Sequence, residues 1–169
     1  MIEALPESRQ SYKSGSKEVI RMNHDAKHAG NIVLLRGGTL WLIVALILAW
    51  CLVTMKLGVP LINSIFQDFD RLLQAHIDFL LMTALILGIY AAKVPLQWHV
   101  RWPIVIGAFT NSSLFLLMSI FPILNTPSQG LFPDAFRLFT MVSITITTYG
   151  FGMASIIIFR STFEKPSSA

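Results

Sequence analysis

Charge is scarce in this sequence: Asp, Glu, Lys and Arg make up 13% of its 169 residues, against about 25% in a soluble globular domain. Hydrophobic residues make up 54%, and the mean hydropathy is +0.63. So few charges cannot cover a water-facing surface, so lipid must cover much of it. Cysteine is nearly absent as well. Cys51 stands alone inside an apolar run, which excludes an internal disulfide and a cysteine-based metal motif. There is no GxSxG, HExxH, P-loop or glycine-rich dinucleotide turn. No two apolar runs each carry a histidine, which excludes a bis-histidine b-type electron carrier within one subunit. No internal repeat is present.

The formal net charge is +4, but its placement argues against nucleic acid. The leader holds Arg9, Lys13, Lys17, Arg21, Lys27 and Arg36. The loop after the second apolar run holds Lys93 and Arg101, and the tail holds Arg160 and Lys165. Only Lys56, Arg71 and Arg137 fall on the other side. Basic residues collect on the cytoplasmic side of membrane proteins, so both termini are expected to be cytoplasmic. No cleaved signal peptide is expected, because the first apolar run starts near Leu40 after a long polar leader.

Four runs are long enough to cross a bilayer, which takes about 20 apolar residues. They cover about 38–57, 72–92, 103–121 and 135–159. The expected fold is therefore all-α, an integral membrane four-helix bundle over 29–162. Residues 1–28 form a polar tail expected to be disordered, and 163–169 form a second polar tail. The stretch 29–36 reads as an interfacial helix or as an early turn of the first span, with Gly37 and Gly38 as a possible break. Between the first two spans, Ile62, Ile65, Phe66 and Phe69 recur at helical spacing, which predicts a short amphipathic helix on the membrane face. Pro103 is expected in the first turn of the third span. Trp98 and Trp102 mark an interface, and His99 beside them reads as a headgroup contact. His24 and His28 lack a third ligand for a metal.

His76 is the residue with most chemical content. An ionisable group inside a span is costly and faces a bundle interior, a cavity or a ligand. Leu72, Phe79, Leu80, Thr83, Leu87 and Tyr90 share its helical face, forming an apolar and aromatic wall with one hydroxyl. Such a wall suits a flat hydrophobic cofactor, and haem iron takes a proximal histidine. The alternative is an imidazole near the interface that hydrogen-bonds a neighbour. Asp78 lies about 200° round the helix from His76, between neighbouring spans or paired with Arg71 or Arg137. Asn111, Ser112 and Ser113 lie mid-span in the third run, where interhelical hydrogen bonding and pocket lining are both open. Thr147, Thr148 and Tyr149 sit at similar depth in the fourth run, and Tyr149 could share a central pocket with Asn111.

Three stretches resemble the styrene oxide isomerase family. They are KHAGNIVLL (27–35), LLQAHIDF (72–79) and YGFGMASIIIFRST (149–162), with FTNSS (109–113) where that family has a Trp-Ser-Asn element. The resemblance implies a small four-span bacterial inner-membrane protein that assembles as a homotrimer. It implies haem b with His76 as axial ligand, and the helical face read above then puts Phe79, Leu80 and Thr83 beside the cofactor. The implied reaction opens a hydrophobic epoxide to an aldehyde, with ferric haem as Lewis acid and no net redox change. The family has Asn six residues after its ligand histidine and a catalytic Tyr in the third span. Here these places hold Met82 and Phe115, leaving Asn111 and Tyr149 as substitutes. Two other expectations stand beside the isomerase: a non-catalytic haem protein for sensing or electron transfer, and a cofactor-free accessory or structural membrane subunit.

Overall fold

A computed structural model of the chain describes residues 31–126 and 130–163. The expectations for the leader, including His24 and His28, lie outside the described residues, as do those for 164–169. Helix α1 spans Ile32–Lys56, α2 Pro60–Ile65, α3 Phe69–Ala91, α4 Trp98–Ile120 and α5 Leu131–Ser161. A 3₁₀ turn at Pro122–Asn125 follows α4. Four of these helices are long and apolar enough to cross a membrane. At 1.5 Å per residue the 23-residue α3 and α4 measure about 35 Å and the 31-residue α5 about 46 Å, against a hydrocarbon core of about 30 Å. Helices are the form these runs must take, because hydrocarbon offers no water to the backbone N–H and C=O groups. The chain is a multi-pass integral membrane protein.

The four spans run alternately up and down, so α1 begins and α5 ends at the same end of the bundle. Packing follows chain order: α1 lies on α3, α3 on α4 and α4 on α5, with a lighter contact between α1 and α4. The core has two halves. Toward the end where α1 begins and α5 ends, called the terminal end below, Leu34, Ile86, Val100, Ile104, Ala108 and Ala154 are fully buried. Toward the other end, Ala45, Leu72, Ala75 and Phe79 are fully buried. Trp41 joins the halves: its ring stacks on Phe109 at 4.5 Å, and its indole N–H donates to the Val105 carbonyl at 3.1 Å. Large apolar side chains such as Ile47, Trp50, Leu138 and Met141 cover the outside, as a lipid-facing surface requires.

Several expected boundaries shift. Gly37 and Gly38 do not break the first span, and α1 runs through them from Ile32. Both are buried because neighbouring helices come too close for a side chain. A Cβ on Gly37 would lie 2.6 Å from Val105 Cγ1, and one on Gly38 3.0 Å from Leu87 Cδ2. The amphipathic segment shrinks to the six residues of α2. Phe66 and Asp68 adopt extended conformations, and Phe69 opens α3 instead. Two backbone N–H groups in that extended stretch, from Gln67 and Asp68, donate to the Ser119 carbonyl at 2.8 and 3.3 Å. That carbonyl is near the C-terminus of α4, where carbonyls lack helical partners. The Asp68 side chain then caps α3 by accepting from Arg71 N–H at 3.1 Å. Pro103 lies inside α4 rather than in its first turn, because the helix already starts at Trp98. The close approach of α5 falls at this point: a Cβ on Gly150 would lie 2.7 Å from Ile104 N and 2.9 Å from Pro103 C.

Candidate functional site

The buried stripe of α3 comprises Leu72, Ala75, Phe79, Thr83 and Ile86. At 100° per residue, His76 falls on one edge of that stripe and Asp78 on the other. Each makes contact with a different neighbouring helix. His76 Nδ1 lies 2.9 Å from the Ala45 carbonyl of α1. A carbonyl oxygen can only accept, so Nδ1 carries a proton, and in the neutral ring Nε2 is then the acceptor. Nε2 makes no hydrogen bond to the described residues. The imidazole is half-buried, at the margin between the α1–α3 seam and the lipid-facing surface. Leu73, Ile77 and Leu81, all exposed, continue that surface along α3.

Asp78 turns to α4. Its Oδ2 accepts from Asn111 Nδ2 at 3.0 Å and from Ser112 Oγ at 2.8 Å. Ser112 Oγ also lies 3.0 Å from the Ala108 carbonyl, but its single proton favours the nearer, charged acceptor. Asp78 and Asn111 each lie about 14 Å from the non-terminal end of their helices, taking 1.5 Å per residue, so this carboxylate sits near mid-bilayer. Of the two expected placements, Asp78 takes the one between neighbouring spans, and the pairing with Arg71 or Arg137 does not form. Arg71 donates to Gln74 Oε1 at 2.8 Å, and Arg137 pairs with Asp134 at 3.2 Å.

A further polar link joins α4 to α5: Ser143 Oγ donates to Thr110 Oγ1 at 2.8 Å. It sits one turn from a second close α4–α5 contact, where a Cβ on Gly107 would lie 2.8 Å from Thr147 Cα. Among the other candidate residues, Phe79 is fully buried beside Trp41 and Phe109, with ring centroids at 6.4 and 6.1 Å. Thr83 is also buried, its hydroxyl 3.4 Å from the Gly38 carbonyl. Leu80 is half-buried at the same edge as His76. Met82 and Phe115 pack against opposite halves of the core. Tyr149 is 45% exposed on α5 and makes no hydrogen bond to Asn111, whose amide is engaged by Asp78.

The wall expected below His76 is thus divided. Its Phe79 and Thr83 face the interior and fill it, while His76 and Leu80 remain at the outer edge. Among the described residues, no three His, Cys, Asp or Glu side chains form a metal cage. One imidazole with a free Nε2 is suited instead to the single axial position of a macrocycle that brings its own four nitrogens. Trp41, Phe79 and Phe109 fill the core, and His76 and Leu80 lie at its outer edge. Sequence reasoning missed Ala45, whose contribution is a backbone carbonyl without a residue-type signature. It also missed the Asp78–Asn111 pair, which equal depths in adjacent antiparallel spans could have revealed. The chain matches no protein-family model, no curated protein and no solved structure.

Proposed function

We propose that this membrane protein binds haem b through His76 Nε2 and isomerises a hydrophobic epoxide to an aldehyde. The observation that carries the haem part is the 2.9 Å contact of His76 Nδ1 with the Ala45 carbonyl. Metal-ligating histidines commonly give their other ring N–H to a carbonyl or carboxylate, which fixes the tautomer and raises ligand basicity. When bound, ferric haem supplies a Lewis acid for the epoxide oxygen. The reaction opens one C–O bond and shifts one substituent, so it needs neither oxidant nor reductant.

The chain's own residues hold and orient. The Ala45 carbonyl fixes the imidazole plane. The Asp78–Asn111–Ser112 bonds fix the height of α3 against α4 and thereby the height of His76. Leu80 with Leu73 and Ile77 offers apolar surface to the cofactor and to a hydrophobic substrate arriving through lipid. The outer position of His76 supports a site closed by a second copy of the chain, in keeping with the trimer that the resemblance to styrene oxide isomerases implies. A bacterial inner membrane and cytoplasmic termini belong to the same reading, supported by the basic residues at the terminal end.

The test is aldehyde formation from styrene oxide by detergent-purified protein. Turnover in the wild type and its loss in His76→Ala is the expected result. Wild-type protein that carries haem yet forms no aldehyde would contradict the isomerase and leave a non-catalytic haem protein. A second reading, a cofactor-free structural subunit, is favoured by one observation: Asn111, Thr83 and Phe79 are all engaged in interhelical contacts. It requires the purified chain to be colourless.

A further inference from the structure

Away from His76, two cations line one open cavity at the terminal end of the bundle. Lys93, Val94 and Pro95 of the α3–α4 loop face Ile157, Arg160 and Ser161 of α5 across a volume of about 380 Å³. Among the described residues, the lining contains no carboxylate and neither Lys93 nor Arg160 forms an ion pair. Two like charges brought to one opening repel each other unless an anion lies between them.

The loop that carries Lys93 is held in place. Asn31, 2% exposed, donates through Nδ2 to the Val94 carbonyl at 2.8 Å, and its Oδ1 accepts from Leu96 N–H at 3.3 Å. Lys93 itself has φ 56°, a left-handed conformation that non-glycine residues seldom adopt. The left-handed conformation falls on one of the two residues that present a cation to the cavity, and the Asn31 clamp on the following residues holds the turn. Exposed Trp98 and Trp102 lie at the start of α4 at this same end, where aromatic residues sit at headgroup level.

We propose that this cavity binds the phosphate of an anionic phospholipid. Lys93 and Arg160 contact the phosphate oxygens, and Val94, Pro95 and Ile157 lie against the glycerol and first acyl carbons. The apolar half of the lining favours a lipid over a free phosphate ion, which would leave those walls unused. Basic pockets between spans at a cytoplasmic face bind anionic headgroups in this manner.

Native mass spectrometry of the full-length protein in detergent tests the assignment, with phosphatidylglycerol, phosphatidylcholine and inorganic phosphate as probes. The expected result is at least tenfold preference for phosphatidylglycerol over phosphatidylcholine. Lys93→Gln and Arg160→Gln should each weaken phosphatidylglycerol binding about fivefold, while Arg137→Gln at the opposite end leaves it unchanged. Circular dichroism matching the wild type shows that the variants are folded, and Lys93→Arg should retain binding. Equal binding of the two lipids, or a phosphatidylglycerol preference that survives in the Lys93→Gln/Arg160→Gln double variant, overturns the proposal. Displacement of bound phosphatidylglycerol by millimolar inorganic phosphate overturns the lipid assignment in favour of a free anion.

Discussion

Asn111 of α4 donates a 3.0 Å hydrogen bond to the Asp78 carboxylate of α3. Both residues sit near mid-bilayer, where an unpaired carboxylate costs about 2.5–3.5 kcal/mol. Measured interhelical hydrogen bonds in membranes average about 0.6 kcal/mol and reach about 1.7, and a charged acceptor belongs at the upper end. A double-mutant cycle with Asp78→Ala and Asn111→Ala should therefore give a coupling energy of about 1–1.5 kcal/mol. Reversible unfolding in mixed micelles measures it. A coupling below about 0.3 kcal/mol would show that the bond does not hold α3 to α4.

The glycines separate into two groups by the space around them. A Cβ on Gly150 would press on the backbone of α4 at 2.7 Å, whereas nothing lies within 4 Å of one on Gly152. Gly150→Ala should destabilise by about 1–3 kcal/mol. Gly152→Ala should be neutral or slightly stabilising, because alanine is the better helix former by up to about 1 kcal/mol. Thermal denaturation of the two variants side by side checks the contrast, and equal midpoints would contradict the α4–α5 contact.

Trp41 is expected to matter through two separable contacts. Trp41→Phe keeps an aromatic ring near Phe109 but removes the donor to the Val105 carbonyl, costing about 0.5–1.5 kcal/mol. Trp41→Ala also opens a cavity between the two halves of the core and should cost about 3–5 kcal/mol. Chemical unfolding of the two variants measures the difference. A similar loss in both would mean that the hydrogen bond, rather than the ring, joins the halves.

The spans were legible because hydrocarbon leaves the backbone one way to satisfy its N–H and C=O groups along a single apolar run. Their ends were less so. Gly37 and Gly38 look like a break in isolation, and only the neighbouring Val105 and Leu87 side chains explain why glycine stands inside a continuous helix. Pro103 likewise resembles a helix start, but α4 begins five residues earlier at Trp98. At the candidate site, helical spacing correctly separated His76 from Asp78. It could not show that Phe79 and Thr83 turn into a filled core while His76 stays at its rim, since that depends on where α1 packs. The partner of His76 was illegible because a backbone carbonyl belongs to every residue.

The central claim is that His76 presents a free Nε2 to haem iron while Nδ1 is held by the Ala45 carbonyl. An absorption spectrum of the detergent-purified protein, oxidised and then reduced, tests it most directly. The account predicts a Soret band in the wild type, strongly diminished in His76→Ala and retained in Tyr149→Phe, whose side chain lies on α5 away from the imidazole. Colourless wild-type protein purified from haem-replete cells, or an undiminished Soret band in His76→Ala, would contradict it.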